Sequence, residues 1–182
     1  LEIDRSSFVA NGAGDGQSHN LYAGAIGRLS VSASYFARSQ VGHLLKSRAR
    51  ESLIVYSRLT GEDGTSSYEL DFPNGGVARV MGCLIQQGPR SENSTIISYG
   101  AEGYRWPSNE LQLTFNTIVN DRPSGGIFIR VAPGQVRAEV LDNLLVGSGE
   151  MGVKTDSALI RNKVGNRGEF ADPARMDYRL KK

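Results

Sequence analysis

Seven segments of the chain repeat one order of residue types without repeating the same residues. They begin at residues 1, 29, 52, 78, 111, 138 and 157. An apolar residue stands two positions into each segment, a Ser, Cys or Asn five positions in, and a second apolar residue seven positions in. These three columns are Ile3, Val31, Ile54, Val80, Leu113, Val140 and Leu159; Ser6, Ser34, Ser57, Cys83, Asn116, Asn143 and Asn162; and Phe8, Phe36, Leu59, Ile85, Ile118, Leu145 and Val164.

The columns predict two short strands joined by a tight turn in every repeat. An apolar–x–apolar step is typical of a strand that buries alternate side chains. Ser and Asn favour the turn because they hydrogen-bond their own backbone, and Asn tolerates the left-handed region. Repeats of this length without helix signals indicate a solenoid of stacked β coils. We therefore expect an all-β, right-handed, single-stranded parallel β-helix of about seven rungs, with the first column forming one buried stack.

Composition limits the classes of protein that remain. The 182 residues suit one domain, and 21 Lys and Arg against 19 Asp and Glu leave a net charge of +2, which does not predict a nucleic-acid partner. No apolar run is long enough to span a membrane. A single cysteine excludes an internal disulfide, and its place in the turn column predicts a small buried spacer.

A third strand and the domain limits follow from the same register. Leu21, Leu44 and Leu70 each lie eight residues before a segment start, which predicts a third strand in three consecutive rungs. The ladder predicts a β-helix domain over residues 1–165 and a charged tail over 166–182 that packs on the solenoid or leaves it. The chain begins within the ladder and without a polar cap, so we expect the carboxy-terminal part of a longer protein and end-on association through the first rung.

The densest polar cluster lies on this third strand. If Leu21, Leu44 and Leu70 point inward, Asn20, His43 and Glu69 form an outward column with neighbours about 4.8 Å apart. His43 and Glu69 would then touch as a proton-transfer pair. Strict alternation places Lys46 inward, so either the strand bulges there or Lys46 pairs with a carboxylate.

The ladder resembles the right-handed parallel β-helix of the pectin-lyase-like superfamily along nearly the whole chain. The segments GDGQSHNLY (14–22), GHLLKSRA (42–49) and SYELDFPNGG (67–76) resemble bacterial right-handed β-helix repeat proteins. The endings FADP (170–173) and DYRL (177–180) are similar to segments that close many β-helix carbohydrate proteins. The resemblance implies a polysaccharide or oligosaccharide partner and a secreted or periplasmic location.

The resemblance also implies chemistry. In lyases of this superfamily a Lys, Arg, His or Tyr removes the proton beside a uronate carboxylate, which Arg or calcium neutralises. Lys46 or His43 would then be the base, Arg48 the carboxylate clamp and Tyr68 the acid. Hydrolase chemistry would instead use carboxylates such as Glu69, Asp71 and Glu102. The residues predicted to be catalytic are His43, Lys46, Arg48, Tyr68 and Glu69.

Other residues are predicted to bind the substrate, namely Asn20, Tyr22, Asp71, Tyr99, Glu102 and Trp106. Tyr99, Tyr104 and Trp106 belong to an irregular excursion over residues 99–109, where they either stack on sugars or anchor the excursion against the solenoid. Asp15 with Glu69 and Asp71 is too small a set to predict calcium, so no metal or other cofactor is expected. The leading hypothesis is a lyase or hydrolase acting on an acidic polysaccharide. The alternative is a non-enzymatic module that binds glycans or proteins.

Overall fold

A computed structural model describes residues 1–153 and 158–181. Its strands are β1 (Glu2–Asp4), β2 (Ser7–Val9), β3 (Leu21–Ala23), β4 (Arg28–Ser32), β5 (Tyr35–Ala37), β6 (Leu45–Ser47), β7 (Glu51–Val55), β8 (Arg58–Thr60), β9 (Leu70–Phe72), β10 (Val77–Met81), β11 (Leu84–Gln87), β12 (Thr95–Tyr99), β13 (Glu110–Thr114), β14 (Thr117–Asn120), β15 (Ile127–Val131), β16 (Arg137–Leu141), β17 (Leu144–Val146), β18 (Glu150–Gly152), β19 (Ala158–Ile160), β20 (Lys163–Gly165), β21 (Phe170–Asp172) and β22 (Asp177–Leu180). Two short 3₁₀ turns are Arg167–Glu169 and Pro173–Arg175.

Three parallel sheets build the described part of the chain into a β-helix. Sheet A has the order β1-β4-β7-β10-β13-β16-β19, and sheet B has the order β2-β5-β8-β11-β14-β17-β20. Sheet C runs β18-β15-β12-β9-β6-β3. Each strand pairs with the strand three places along the chain, so one turn of the solenoid contributes one strand to each sheet. The predicted β-helix of about seven rungs is confirmed. No helix in the described ranges is long and apolar enough to cross a membrane.

The register of the ladder is the one that the sequence predicts. The first apolar column is paired from Ile3 through Val140 to Leu159 along sheet A, without a slip. The second column is paired in the same way from Phe8 to Val164 along sheet B. One detail of the predicted buried stack is wrong, because Leu159 is 46% exposed. Leu159 lies in β19, which has a neighbouring strand on one side only.

The turn between sheets A and B uses a left-handed residue in every rung, one position before the ladder residue. These residues are Arg5, Ala33, Tyr56, Gly82, Phe115, Asp142 and Arg161, with φ between 44° and 65°. Only one of the seven is glycine, although a side chain makes this conformation costly. The sequence argument assigned the turn to the Asn and Ser residues themselves. Their role is instead to hold the turns together.

The ladder residues form one continuous row of hydrogen bonds along the solenoid. Each side chain accepts a hydrogen bond from the backbone N–H of the ladder residue in the preceding rung, from the Ser6 N–H to Ser34 through to the Asn143 N–H to Asn162. Cys83 is a member of this row, and burial raises the pKa of its thiol to about 11. The interpretation of Cys83 as a buried spacer therefore agrees with its position.

Residues after β20 fold back onto the outside of sheet B. Strands β21 and β22 form a small antiparallel pair, here called the terminal hairpin. Phe170 and Tyr178 of this hairpin pack on Val119 and Val146 of sheet B, in a second hydrophobic cluster outside the solenoid. At the opposite end, Phe8 stacks on Phe36 with ring centroids 4.9 Å apart, and Leu1 is exposed. Association through that first rung stays a prediction.

Candidate functional site

Strand β6 of sheet C is offset by one residue from the predicted register. Leu21 pairs with Leu45, and Leu45 pairs with Leu70, so Leu44 is not the residue in the predicted inward column. Two consecutive leucines fit the apolar pattern equally well, and a slip of one residue exchanges the two faces of a strand. As a consequence Glu69 lies level with Leu44, whereas His43 lies level with Tyr68. The predicted contact between His43 and Glu69 is therefore wrong.

Glu69 is instead enclosed at a corner of the solenoid. Its carboxyl accepts a hydrogen bond from the Ser66 hydroxyl at 2.9 Å, and its Oε2 atom is buried without a partner in the described residues. Burial raises the pKa of Glu69 well above its usual value, although hydrogen bonds from Ser66 act against this shift. A fully buried carboxyl cannot touch a polysaccharide, so the geometry does not place Glu69 in a catalytic set.

His19, His43 and Tyr68 form an aromatic stack across three rungs. Ring centroids lie 4.6 Å apart for His19 and His43, and 4.9 Å apart for His43 and Tyr68. The Nδ1 atom of each imidazole accepts the backbone N–H of the next residue in the stack, at 3.0 and 3.1 Å. The proton of each neutral imidazole therefore resides on Nε2. Burial lowers the pKa of His43 to about 3, and the neighbouring His19 and Lys46 act in the same direction.

Lys46 connects this stack to two carboxylates. Its Nζ atom lies 3.4 Å from Asp71 and 3.1 Å from Glu102, and the Nε2 atom of His43 lies 3.5 Å from the same Asp71 oxygen. The one-residue offset turns Lys46 outward, where it pairs with carboxylates. Of the two sequence alternatives for Lys46, the carboxylate partner is the one observed.

Asp71 is the most unusual group of the cluster. Only 2% of the residue is exposed, and its Oδ1 atom has no partner among the described residues. Burial raises the pKa of Asp71 to about 6, although the nearby Lys46 acts to lower it. Desolvation penalises the charged form more than one ammonium at 3.4 Å stabilises it. Asp71 thus changes charge near neutral pH, next to a neutral His43.

Arg48 is held by contacts from three sides. Its guanidinium lies 2.7 Å from a Glu102 oxygen, and its Nε–H donates to the Tyr22 hydroxyl at 3.0 Å. A third contact reaches the Asn74 amide oxygen at 2.5 Å. Partial burial acts to raise the pKa of Glu102, but the hydrogen bonds from Arg48 and Lys46 outweigh it and lower that pKa. One exposed carboxylate therefore occupies both cations.

These side chains line a groove of about 290 Å³ on the outer face of sheet C. Its lining residues are Gly16, Gln17, His19, Tyr22, Lys46 and Arg48. His43 and Asp71 lie beneath it, and Lys46 reaches both levels. The lining groups are predominantly hydrogen-bond donors: a guanidinium, an ammonium, an imidazole N–H, a phenol and an amide. Such a groove suits a negatively charged ligand.

The other predicted residues divide between this groove and the solenoid wall. Asn20 is buried and bonds the backbone of residues 8, 11 and 37, so its role is structural. Tyr99 is buried, and its hydroxyl donates to the Gly76 carbonyl. Trp106 is half-buried and donates from Nε1 to the Arg48 carbonyl at 3.3 Å. Tyr99 and Trp106 therefore anchor the excursion, which was the second of the two readings of these aromatics.

Two lining residues, His19 and Gln17, are not among the predicted site residues, although His19 belongs to the dense polar group of the sequence. His19 lies one rung before His43 and 24 residues earlier, close to the shortest spacings of the ladder, and this match was the available signal. Gln17 is in the loop before β3, where the ladder gives no register.

No group of three or more metal-binding side chains occurs within residues 1–153 and 158–181. No known protein family, curated protein or solved structure matches this chain. The class of protein is therefore given by architecture alone: a parallel β-helix with a donor-lined groove on one sheet.

Proposed function

We propose that this protein is a carbohydrate-active β-helix of the pectin-lyase-like type that binds an acidic polysaccharide in the groove on sheet C. The observation that carries the proposal is the contact of the Glu102 carboxylate with both Lys46 and Arg48, at 3.1 and 2.7 Å. Two cations that hold one exposed carboxylate are spaced to hold the carboxylate of a uronate. Arg48 supplies the planar fork that suits this geometry.

The test is calorimetric titration with a uronate tetrasaccharide at low salt. Replacing Arg48 by Gln should weaken binding about 10- to 100-fold, the equivalent of one charge-assisted hydrogen bond of about 1.5–3 kcal/mol. The matched control is Arg28→Gln, which removes an exposed arginine from sheet A and should bind like the parent protein. Equal affinity of the Arg48→Gln variant, with unchanged melting, would contradict the proposal.

Glu102 provides a variant with the opposite expected sign. Because its carboxylate occupies the same two cations, Glu102→Gln should free them and tighten binding several-fold. If the ligand is recognised only by the shape of the groove, its affinity should be the same for the parent protein, Arg48→Gln and Glu102→Gln. The pair of variants therefore separates carboxylate recognition from general contact.

β-Elimination is the second candidate function, and the position of Asp71 favours it. Asp71 is buried, as Glu69 is, and does not touch a ligand in the groove, but Lys46 lines the groove and lies 3.4 Å from it. With a pKa of about 6, Asp71 would receive a proton that Lys46 takes from the uronate, while Arg48 binds the uronate carboxylate. Incubation with uronate polymers, followed by absorbance of the unsaturated product, tests this activity. If the polymer binds but no absorbance develops, β-elimination is excluded and the protein is a non-enzymatic binding module.

A further inference from the structure

A second groove lies on another sheet of the solenoid, between sheet B and the terminal hairpin. It has a volume of about 510 Å³. Gly82, Leu84 and Thr117 contribute from the solenoid, and residues 175–179 contribute from the hairpin. None of these residues belongs to the groove on sheet C. The arrangement forms because Phe170 and Tyr178 fix the hairpin on Val119 and Val146 of sheet B, which leaves the neighbouring strip of sheet B uncovered.

Arg58 is the unusual residue of this second groove. Within residues 1–153 and 158–181 its guanidinium makes no hydrogen bond or ion pair, and its Nε atom is buried without a partner. The guanidinium lies over the face of the Tyr35 ring, with its Cζ atom 5.9 Å from the ring centroid. A buried donor without an acceptor is costly, and native proteins rarely retain one without a reason. An anion in the groove would supply the missing acceptor.

The charges around Arg58 favour such an anion. Arg175 and Arg179 also line the groove, and Asp177 is the one carboxylate among its lining residues. Arg179 pairs with Asp177 at 2.6 Å, whereas Arg175 pairs with Asp172, outside the lining, at 3.7 Å. Three guanidinium groups against one carboxylate leave the groove positively charged. Guanidinium forks bind carboxylates and sulfates with two parallel hydrogen bonds.

An exposed aromatic ring borders the same groove. Phe115 is 64% exposed and occupies the left-handed turn position directly after Gly82 in the column. A Cβ atom on Gly82 would lie 2.8 Å from the Tyr56 ring, so a side chain there would displace that ring. The missing side chain keeps the groove open beside Phe115. An exposed ring of this kind offers a flat apolar surface that suits the apolar face of a sugar.

We propose that this groove is a second glycan-binding site, in which Arg58 binds the acidic group of a sugar and Phe115 stacks on its ring. The location of the site is argued independently of the groove on sheet C, and only the choice of an acidic sugar rests on the proposed function. Two sites on different sheets let one molecule hold two stretches of polysaccharide.

A backbone-amide NMR titration of the full chain with a uronate tetrasaccharide tests this site, because it reports each groove separately. We expect chemical-shift changes at the amides of Gly82 and Thr117, which report the second groove, and at those of Gln17 and Tyr22, which report the groove on sheet C. Replacing Arg58 by Met should abolish the shifts at Gly82 and Thr117 and leave the others. The matched control Arg28→Met should change neither set.

Several outcomes decide between the two sites. Absent shifts at Gly82 and Thr117, or shifts that persist in the Arg58→Met protein, overturn the second site. Shifts confined to Gly82 and Thr117 support the second site and contradict the proposed function of the groove on sheet C. A melting temperature of Arg58→Met equal to or above that of the parent supports a binding role, whereas a lower one overturns it in favour of a structural role.

A comparison of sulfate and tetrasaccharide binding by the Phe115→Ala variant tests whether the ligand is a sugar. The variant should bind the tetrasaccharide at least five-fold more weakly in this groove, and its binding of sulfate at Arg58 should be unchanged. Sulfate binding without tetrasaccharide binding, or equal tetrasaccharide affinity in Phe115→Ala, overturns the assignment of a sugar.

Discussion

The turn ladder and the wall of sheet C use the same kinds of polar residue in opposite ways. In the ladder, buried Asn and Ser side chains are bonded from rung to rung. The Oδ1 atom of Asn143 accepts two hydrogen bonds, and its two amide protons are shared among three acceptors. On sheet C, by contrast, Asp71, Glu69 and Ser98 each keep one buried oxygen without a partner in the described residues. A saturated row stabilises the solenoid, whereas unsaturated groups are costly to stability and mark the place where a ligand or proton is accommodated.

The largest expected effect on stability is that of a substitution in the middle of the turn ladder. Asn116 accepts the Cys83 N–H and donates to the Val80 carbonyl, and it is fully buried. Asn116→Ala leaves both backbone groups unpaired, so the free energy of unfolding should fall by about 3 kcal/mol. Urea denaturation measures this loss. Asn162→Ala, in the partly exposed last rung, is the matched control and should lose less than half as much, because water can replace its bonds. Equal losses would contradict the argument that burial sets the contribution of a ladder residue, and an unchanged Asn116→Ala protein would show that the ladder is not a source of stability.

A smaller effect, with a pH dependence, is expected on sheet C. Lys46→Met removes the ammonium that faces Asp71, and an unpaired buried carboxylate should lower the free energy of unfolding by about 2–3 kcal/mol at pH 8. Protonation of Asp71 removes that unpaired charge, so the loss should shrink towards pH 5, below the pKa of about 6. Denaturation of the variant at both pH values measures the difference. Adding Asp71→Asn should recover most of the stability at pH 8; a loss independent of pH would contradict the pairing.

The smallest effect concerns Glu69 and has the opposite sign. Its folded pKa is raised, so the folded state retains a proton that the unfolded state releases, and the parent protein loses stability as pH rises above about 4.5. Glu69→Gln cannot ionise, and its amide can donate to Gln87, whose Oε1 atom has no partner in the described residues. The variant should be more stable by about 1 kcal/mol at pH 7. Melting curves from pH 4 to 8 should diverge with rising pH; parallel curves would show that Glu69 is ionised in the fold.

The sequence was sufficient for the fold because the ladder is a local pattern. Ile3 and Val140 share an offset from a turn residue, and that offset survives loops of unequal length. The left-handed position was not predictable in the same way. Tyr56 and Phe115 are poor candidates for positive φ by residue type, and the paired strands on both sides of the turn impose it.

The site was predictable only in part, for two physical reasons. Leu44 and Leu45 are equally apolar, and both are buried, so the pattern could not decide which one pairs with Leu21 and Leu70. The observed pairing places His43 beside Tyr68 and not beside Glu69. The partners of Lys46 and Arg48 also include Glu102, which is 56 residues from Lys46 on an irregular segment. No periodicity determines where such a segment lies. The sequence therefore predicted which charged residues belong to the site, but not that Glu102 pairs with both Lys46 and Arg48.

The backbone N–H groups of the turn ladder all donate towards the following rung, and that direction matches the order in which the chain is made. The backbone N–H of each ladder residue is satisfied by a side chain from the following rung, as the Ser34 N–H is by Ser57 and the Cys83 N–H is by Asn116. During synthesis, a rung that has left the ribosome therefore carries one unsatisfied donor until the next rung emerges. Each new rung supplies the acceptor that the rung before it lacks, so during synthesis the unsatisfied donor of the ladder is always in the rung nearest the ribosome.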